Sequence, residues 1–106
     1  MSEALKRKDY LSLLGSTRQK KKRSLLLDYA SNGDIAAISE VIFNLLKGII
    51  PLNDKQRRTL RKYQRVLRAI SKKTLSYKTK RHILKQEGGF LPTLIPIALS
   101  VLSSLL

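Results

Sequence analysis

The chain has 106 residues, which is room for one small domain and its appendages. Its 22 lysine and arginine residues outnumber 7 acidic residues, and the formal net charge is +15. A charge of this size opposes folding through self-repulsion, so we expect a polyanionic partner, either nucleic acid or anionic lipid. The sequence has no cysteine and a single histidine, which excludes disulfides and the usual zinc sites.

The N-terminal helical region, residues 1–52, carries a net charge of +4 and predicts three helices. Ser2 can cap a first helix that ends near Leu14. A second helix is predicted over about 17–30, and its lysine-rich start at 20–23 also fits a nuclear localisation signal. Charges interrupt every short leucine cluster, so the N-terminus does not resemble a secretory signal and we expect synthesis in the cytosol.

The third helix has the clearest pattern. Asp34 is a suitable N-cap, Gly48 is a suitable left-handed C-terminal residue, and Pro51 discourages continuation. Between them the apolar residues recur at intervals of three and four, at Ile35, Ile38, Val41, Ile42, Leu45, Leu46 and Ile49. This spacing predicts a helix with a wide buried face.

The basic region, residues 53–89, carries a net charge of +11 and predicts a pair of basic helices. Asn53 or Asp54 can cap the first, over about 54–71, and Ser76 can cap the second, which ends near Gln86. The first helix has a narrow apolar seam of Leu60, Tyr63, Leu67 and Ile70, and its other surfaces are basic or polar. Gly88-Gly89 is expected to break the chain before the tail.

Twelve of the thirteen cations of this region are the candidate nucleic-acid-binding residues. Phosphate contacts by lysine and arginine support tight, salt-sensitive binding with little sequence selectivity. The alternative is a solvated face kept for solubility, but only Asp54 and Glu87 oppose thirteen basic residues. The candidates are Arg57, Arg58, Arg61, Lys62, Arg65, Arg68, Lys72, Lys73, Lys78, Lys80, Arg81 and Lys85.

The apolar tail, residues 90–106, has no charged residue and would span about 25 Å as a helix. Pro92 and Pro96 lie near its start, where a helix ending at Leu106 could begin. Three interpretations remain open: insertion into a membrane, docking in a groove of another protein, or packing into the core of this domain. The candidate docking residues are Phe90, Leu91, Leu94, Ile95, Leu99 and Leu102.

Catalysis has no support in the sequence. No motif arranges serine, histidine and aspartate into a nucleophile site, and no glycine-rich phosphate loop is present. We therefore expect a protein that is not an enzyme and that has no catalytic residue, metal or cofactor. The fold class expected is all-α, a small helical bundle with a basic helix pair and an apolar C-terminal tail helix.

Three segments carry a family resemblance: residues 45–52, the basic run 55–73, and Lys85-Gln86-Glu87-Gly88-Gly89-Phe90-Leu91-Pro92 with the tail after it. They resemble small basic proteins of Maverick/Polinton elements and adintoviruses, which are compared with the adenovirus core peptide. The resemblance covers roughly residues 35–106. It implies a virion protein associated with packaged DNA or with membrane passage, and it makes Gly88 and Gly89 a candidate processing site.

Together these observations predict a virus-like minor structural protein. Its basic helices would associate with DNA, expected to be double-stranded and bound without sequence specificity, and its tail with an anionic membrane or a capsid protein. The expected location is the virion or the host nucleus. Two alternatives remain: an adaptor that docks on an acidic protein partner, and the precursor of a cationic membrane-active peptide.

Overall fold

Helices make up 80% of the chain in the computed structural model, which describes Ala4 and residues 6–104. The described part contains no strand, which confirms the prediction of an all-α fold. The elements are α1 (Lys8–Ser16), α2 (Lys20–Asp28), α3 (Asn32–Leu46), α4 (Asp54–Lys62), α5 (Gln64–Ser71), α6 (Tyr77–Glu87), a 3₁₀ turn (Gly88–Phe90) and α7 (Leu91–Ser104). The predicted Ser2 cap and the predicted end of the tail helix at Leu106 lie outside the described residues.

Local capping explains several helix starts. At α3 the N-cap is Ser31, whose Oγ accepts from the Asp34 amide while the Asp34 carboxylate accepts from the Ser31 amide. The prediction that Asp34 itself caps this helix is therefore wrong, because Asp34 is the reciprocal partner in a capping box. Ser76 caps α6 as predicted, and Gly48 adopts the predicted left-handed conformation with φ of +75°.

Helix α3 lies at the centre of the core. Its periodic residues Ile35, Ile38 and Val41 are fully buried, as the spacing predicts. The prediction is wrong for Ile49, which lies beyond the end of the helix and is 49% exposed. The helix packs against α1, α5, α6 and α7, so it contacts elements from all three regions of the sequence. Residues 1–52, 53–89 and 90–106 consequently share one hydrophobic core.

The apolar tail forms much of that core. Its helix, α7, packs most closely on α1, where a Cβ atom on Gly15 would lie 2.9 Å from Cγ2 of Ile95. A larger residue than glycine at position 15 would thus push the two helices apart. Within the described part of the tail, residues 90–104, the side chains exposed by 8% or less are Phe90, Leu91, Leu94, Ile95, Ala98, Leu99 and Leu102.

Two junctions differ from the sequence prediction. The helix predicted over 54–71 is divided at Tyr63, whose φ of −102° and ψ of 13° lie outside the helical region. Gly88 and Gly89 do not break the chain, because they form a 3₁₀ turn that joins α6 directly to α7. Pro96 lies inside α7 and not at its start, on a position exposed to solvent.

Tyr10 ties α1 to α2 and predicts a pH dependence of stability. Its hydroxyl donates to the Leu26 carbonyl at 3.1 Å. Burial, with a smaller contribution from the Asp34 carboxylate and against an opposing effect of Arg81, raises the pKa of Tyr10 from 10.0 to about 12. The folded protein thus holds this proton more tightly than the unfolded chain does.

The stability that Tyr10 contributes is therefore complete below pH 10 and is lost as the pH rises through about 12. We expect the free energy of unfolding, measured with denaturant at several pH values, to fall over this range. Tyr10→Phe should remove that part of the fall. Parallel losses in the wild type and Tyr10→Phe would contradict the assignment.

Candidate nucleic-acid interface

Helices α4 and α5 present their cations to solvent. No residue of α4 is buried, and α5 buries only Leu67 and Ile70. Asn53 starts α4 with a capping box, in which the Asn53 and Gln56 amides and side chains pair reciprocally at 2.8 Å. Nine cations of these two helices and the turn after them are exposed, and we define the basic face as the eight that follow Lys55: Arg57, Arg58, Arg61, Lys62, Arg65, Arg68, Lys72 and Lys73.

The apolar seam holds this face on the core. Leu67 and Ile70 are fully buried, and α5 packs on α3. Leu60 and Tyr63 are half-buried, and the Tyr63 ring lies 5.4 Å from the Phe90 ring. The seam therefore faces inward, and the basic face must point outward.

Little negative charge neutralises the basic face. Asp54 pairs with Arg57 at 4.0 Å, but both side chains are exposed, and pairs of this kind contribute little. No other ion pair to these eight cations occurs within the described part of the chain. The field of the face is thus available to an external anion.

The four remaining predicted binding residues all lie on α6, where their environments differ. Lys78 is exposed, as a phosphate contact requires. Lys80 is only 4% exposed and donates from Nζ to Ser39 Oγ at 3.2 Å, and burial lowers its pKa. In this fold Lys80 cannot reach a phosphate on the surface.

Arg81 and Lys85 connect α6 to α2. Nε of Arg81 donates to the Leu27 carbonyl at 3.1 Å, and Nη2 donates to the Ala30 carbonyl at 2.7 Å. Leu27 lies in the last turn of α2 and Ala30 lies two residues beyond its end, so Arg81 caps the C-terminal end of this helix. Lys85 forms an ion pair with Asp28. Both cations have protein partners that the charge pattern alone could not reveal.

Lys78 and Lys80 offer a matched test of the role of exposure. Each lysine can be replaced by methionine, which removes one charge and keeps a side chain of similar length. Lys78→Met should weaken duplex binding several-fold, about what one lost phosphate contact costs. Lys80→Met should change affinity by less than about twofold and leave the free energy of unfolding equal or higher. Equal losses of affinity, measured by fluorescence anisotropy, would contradict this division.

A groove that the sequence analysis missed lies beside the basic face. Lys20 and Arg23 from the start of α2 meet Lys62 and Tyr63 there, together with the end of α6. Positions 20 and 62 are 42 residues apart, and no periodicity of the sequence indicates that they are neighbours. The basic character of residues 20–23 was the only signal.

The candidate docking residues of the tail are buried. In this fold the tail packs into the core of the domain, which is one of the three interpretations left open by the sequence. The run Tyr77–Ser104 is long and apolar enough to cross a membrane, the one such run in the described part of the chain, and 44% of its apolar window is buried. A core helix meets the same criteria, so the run is weak evidence for a membrane span.

The two glycines of the candidate processing site differ in exposure. Gly88 is buried and Gly89 is exposed within the 3₁₀ turn. Among the described residues, no cluster of histidine, aspartate and glutamate could hold a metal ion. No protein-family model, curated protein or solved structure matches the chain at a significant level. Function is therefore inferred from where the fold places charge and apolar surface.

Proposed function

We propose that this protein binds nucleic acid, in the first place double-stranded DNA, through the basic face and without sequence selectivity. The observation that carries the proposal is the row of eight exposed cations on α4, α5 and the following turn, opposed only by the exposed Asp54. Phosphates neutralise such a row and release their counterions, and this release drives binding.

The chemistry of the face favours phosphate contacts over reading of bases. Adenine is recognised mainly by asparagine or glutamine side chains, and the side-chain oxygens of Asn53 and Gln56 already accept from each other's backbone N–H in the capping box. Gln64 is then the one exposed side-chain amide within α4 and α5. Five of the eight cations are arginines, whose planar fork fits phosphate oxygens. Such contacts fix the protein on the backbone and carry no sequence information.

The size of the protein sets the expected footprint. The molecule measures 30 × 29 × 29 Å, and one face of it would cover roughly nine base pairs at about 3.4 Å each. About five simultaneous phosphate contacts would give a slope of log K against log salt near −4.5.

The test is a salt titration with two duplexes of unrelated sequence, each slightly longer than the footprint. We expect similar affinities for both duplexes and a slope of about −4 or steeper. A slope near zero, or binding confined to one sequence, would contradict the proposal. Binding to an acidic protein without binding to either duplex would favour the adaptor alternative.

The virus-like role is part of the same proposal. As a minor structural protein of a virion, the chain would hold packaged DNA on its basic face. Contact of the tail with an anionic membrane or a capsid protein would require α7 to leave the core, since its apolar side chains are buried. The resemblance of residues 35–106 supports this context, and the neighbouring genes test it: a capsid gene and a protein-primed polymerase are expected there.

A further inference from the structure

An open groove of about 460 Å³ lies where α2 begins, α4 meets α5, and α6 ends. Its walls include three cations, one hydroxyl, one amide and one carboxylate, from Lys20, Arg23, Lys62, Tyr63, Gln86 and Glu87. Because Lys62 also belongs to the basic face, the groove continues that face towards α2.

Arg23 is the unusual member of the groove. The residue is only 7% exposed, yet its one hydrogen bond among the described residues is a long one, from Nη1 to the Arg18 carbonyl at 3.5 Å. Most of the five N–H donors of this guanidinium thus lack a protein acceptor. Because Arg23 lines the groove and none of its nitrogens is both buried and unpaired, these donors can be reached by an anion in the groove.

The surrounding groups supply further donors. Lys20 and Lys62 are exposed at the rim of the groove, and Nζ of Lys62 lies 5.5 Å from the centre of the Tyr63 ring. The Tyr63 hydroxyl lies against Gly89, where a Cβ atom would be 2.9 Å away. Three cations and a hydroxyl therefore converge on one small space.

Glu87 is the opposing group in the groove. Its carboxylate makes no ion pair within 4.0 Å of the described cations, so it does not neutralise Arg23. The three cations and this carboxylate leave a net charge of +2, which suits a single phosphate group. Because the Glu87 carboxylate should weaken the binding of an anion, the variant Glu87→Gln should bind that anion more tightly.

We infer that the groove binds one backbone phosphate of the nucleic acid, which Arg23 contacts from within and Lys20 and Lys62 contact from the rim. The inference rests on the proposed function and adds a discrete site to it. The bound strand would then contact α2 as well as α4 and α5, so residues far apart in the sequence would hold one phosphate.

The first experiment is a double-mutant cycle on duplex binding with Lys20→Gln and Lys62→Gln. Both lysines are exposed, so neither change should impair folding. If both contact one phosphate, the effect of the double variant should differ from the product of the single effects by about threefold or more. The matched control is the cycle of Lys21→Gln with Lys62→Gln, because Lys21 is exposed but does not line the groove. The control cycle should be additive.

The second experiment observes the Arg23 Nε–H resonance of the wild-type protein by NMR, which avoids any variant that could unfold it. Addition of duplex, and separately of inorganic phosphate, should shift this resonance, and Glu87→Gln should tighten phosphate binding several-fold. Additive effects in both cycles, with an Arg23 resonance that duplex does not move, would overturn the inference and leave the proposed function intact. Phosphate binding without any duplex binding would contradict the proposed function and assign the groove to a small phosphorylated ligand.

Discussion

Replacement of Arg57, Arg58, Arg61, Arg65 and Arg68 by glutamine should weaken duplex binding about a thousandfold at roughly 0.1 M salt. At that salt concentration each released counterion contributes about tenfold, and at least three of the five arginines can face one duplex together. All five are exposed, so the helix content measured by circular dichroism should change little. The salt slope should become shallower by about 3.

A control with the same change in net charge separates this face from a general effect of charge. Five exposed cations outside the basic face are replaced by glutamine in one variant: Lys6, Lys8, Arg18, Lys22 and Lys47. We expect the control to lose at most about tenfold in affinity, through the weaker overall field. Equal losses in the two variants would show that the protein has no localised interface and would contradict the proposal.

Deletion of residues 90–106 should unfold the protein. The deleted segment carries the most extensive helix contact of the fold, that of α7 with α1, and it also supports α3 and α4. Each buried leucine, isoleucine or phenylalanine contributes roughly 1.5–3 kcal/mol, whereas a whole small domain is stable by only about 5–15 kcal/mol. We expect the truncated chain to lose most of its helical signal.

A milder pair of variants tests the same point without truncation. Leu94→Ala, at a fully buried position, should lower the free energy of unfolding by about 2–5 kcal/mol. Leu13→Ala, at a position exposed by 52%, should lower it by less than about 0.5 kcal/mol. If both variants lowered the free energy of unfolding by a similarly small amount, the tail would not be part of the core. Leakage of anionic vesicles caused by the intact protein and abolished by the deletion would instead support the membrane interpretation of the tail.

Much of the secondary structure could be predicted because its causes are local. The apolar spacing of α3, the Ser76 cap and the left-handed Gly48 each depend on residues within a few positions. The seam through Leu67 and Ile70 also faced inward as predicted. The outward direction of the basic face follows from that seam.

Tertiary contacts account for what the sequence could not reveal. A charge-free apolar segment has the same composition in a core as in a membrane, so the sequence cannot decide where the tail lies. Its packing on α1 decides it. In the same way, Lys80 and Lys78 are both basic residues of one helix, and only the contact of α6 with α3 separates them. The groove depends on α2 lying beside α6, which no local pattern encodes.

The direct passage of α6 into α7 has a consequence for processing at the two glycines. Proteases cut exposed, flexible segments, but here Gly88 is buried within a 3₁₀ turn and the next apolar residue, Phe90, lies in the core. A cut at the Gly88-Gly89 motif therefore has to precede folding or wait for a local opening of the C-terminal helix. The rate of cleavage by an added protease would then report how often that opening occurs.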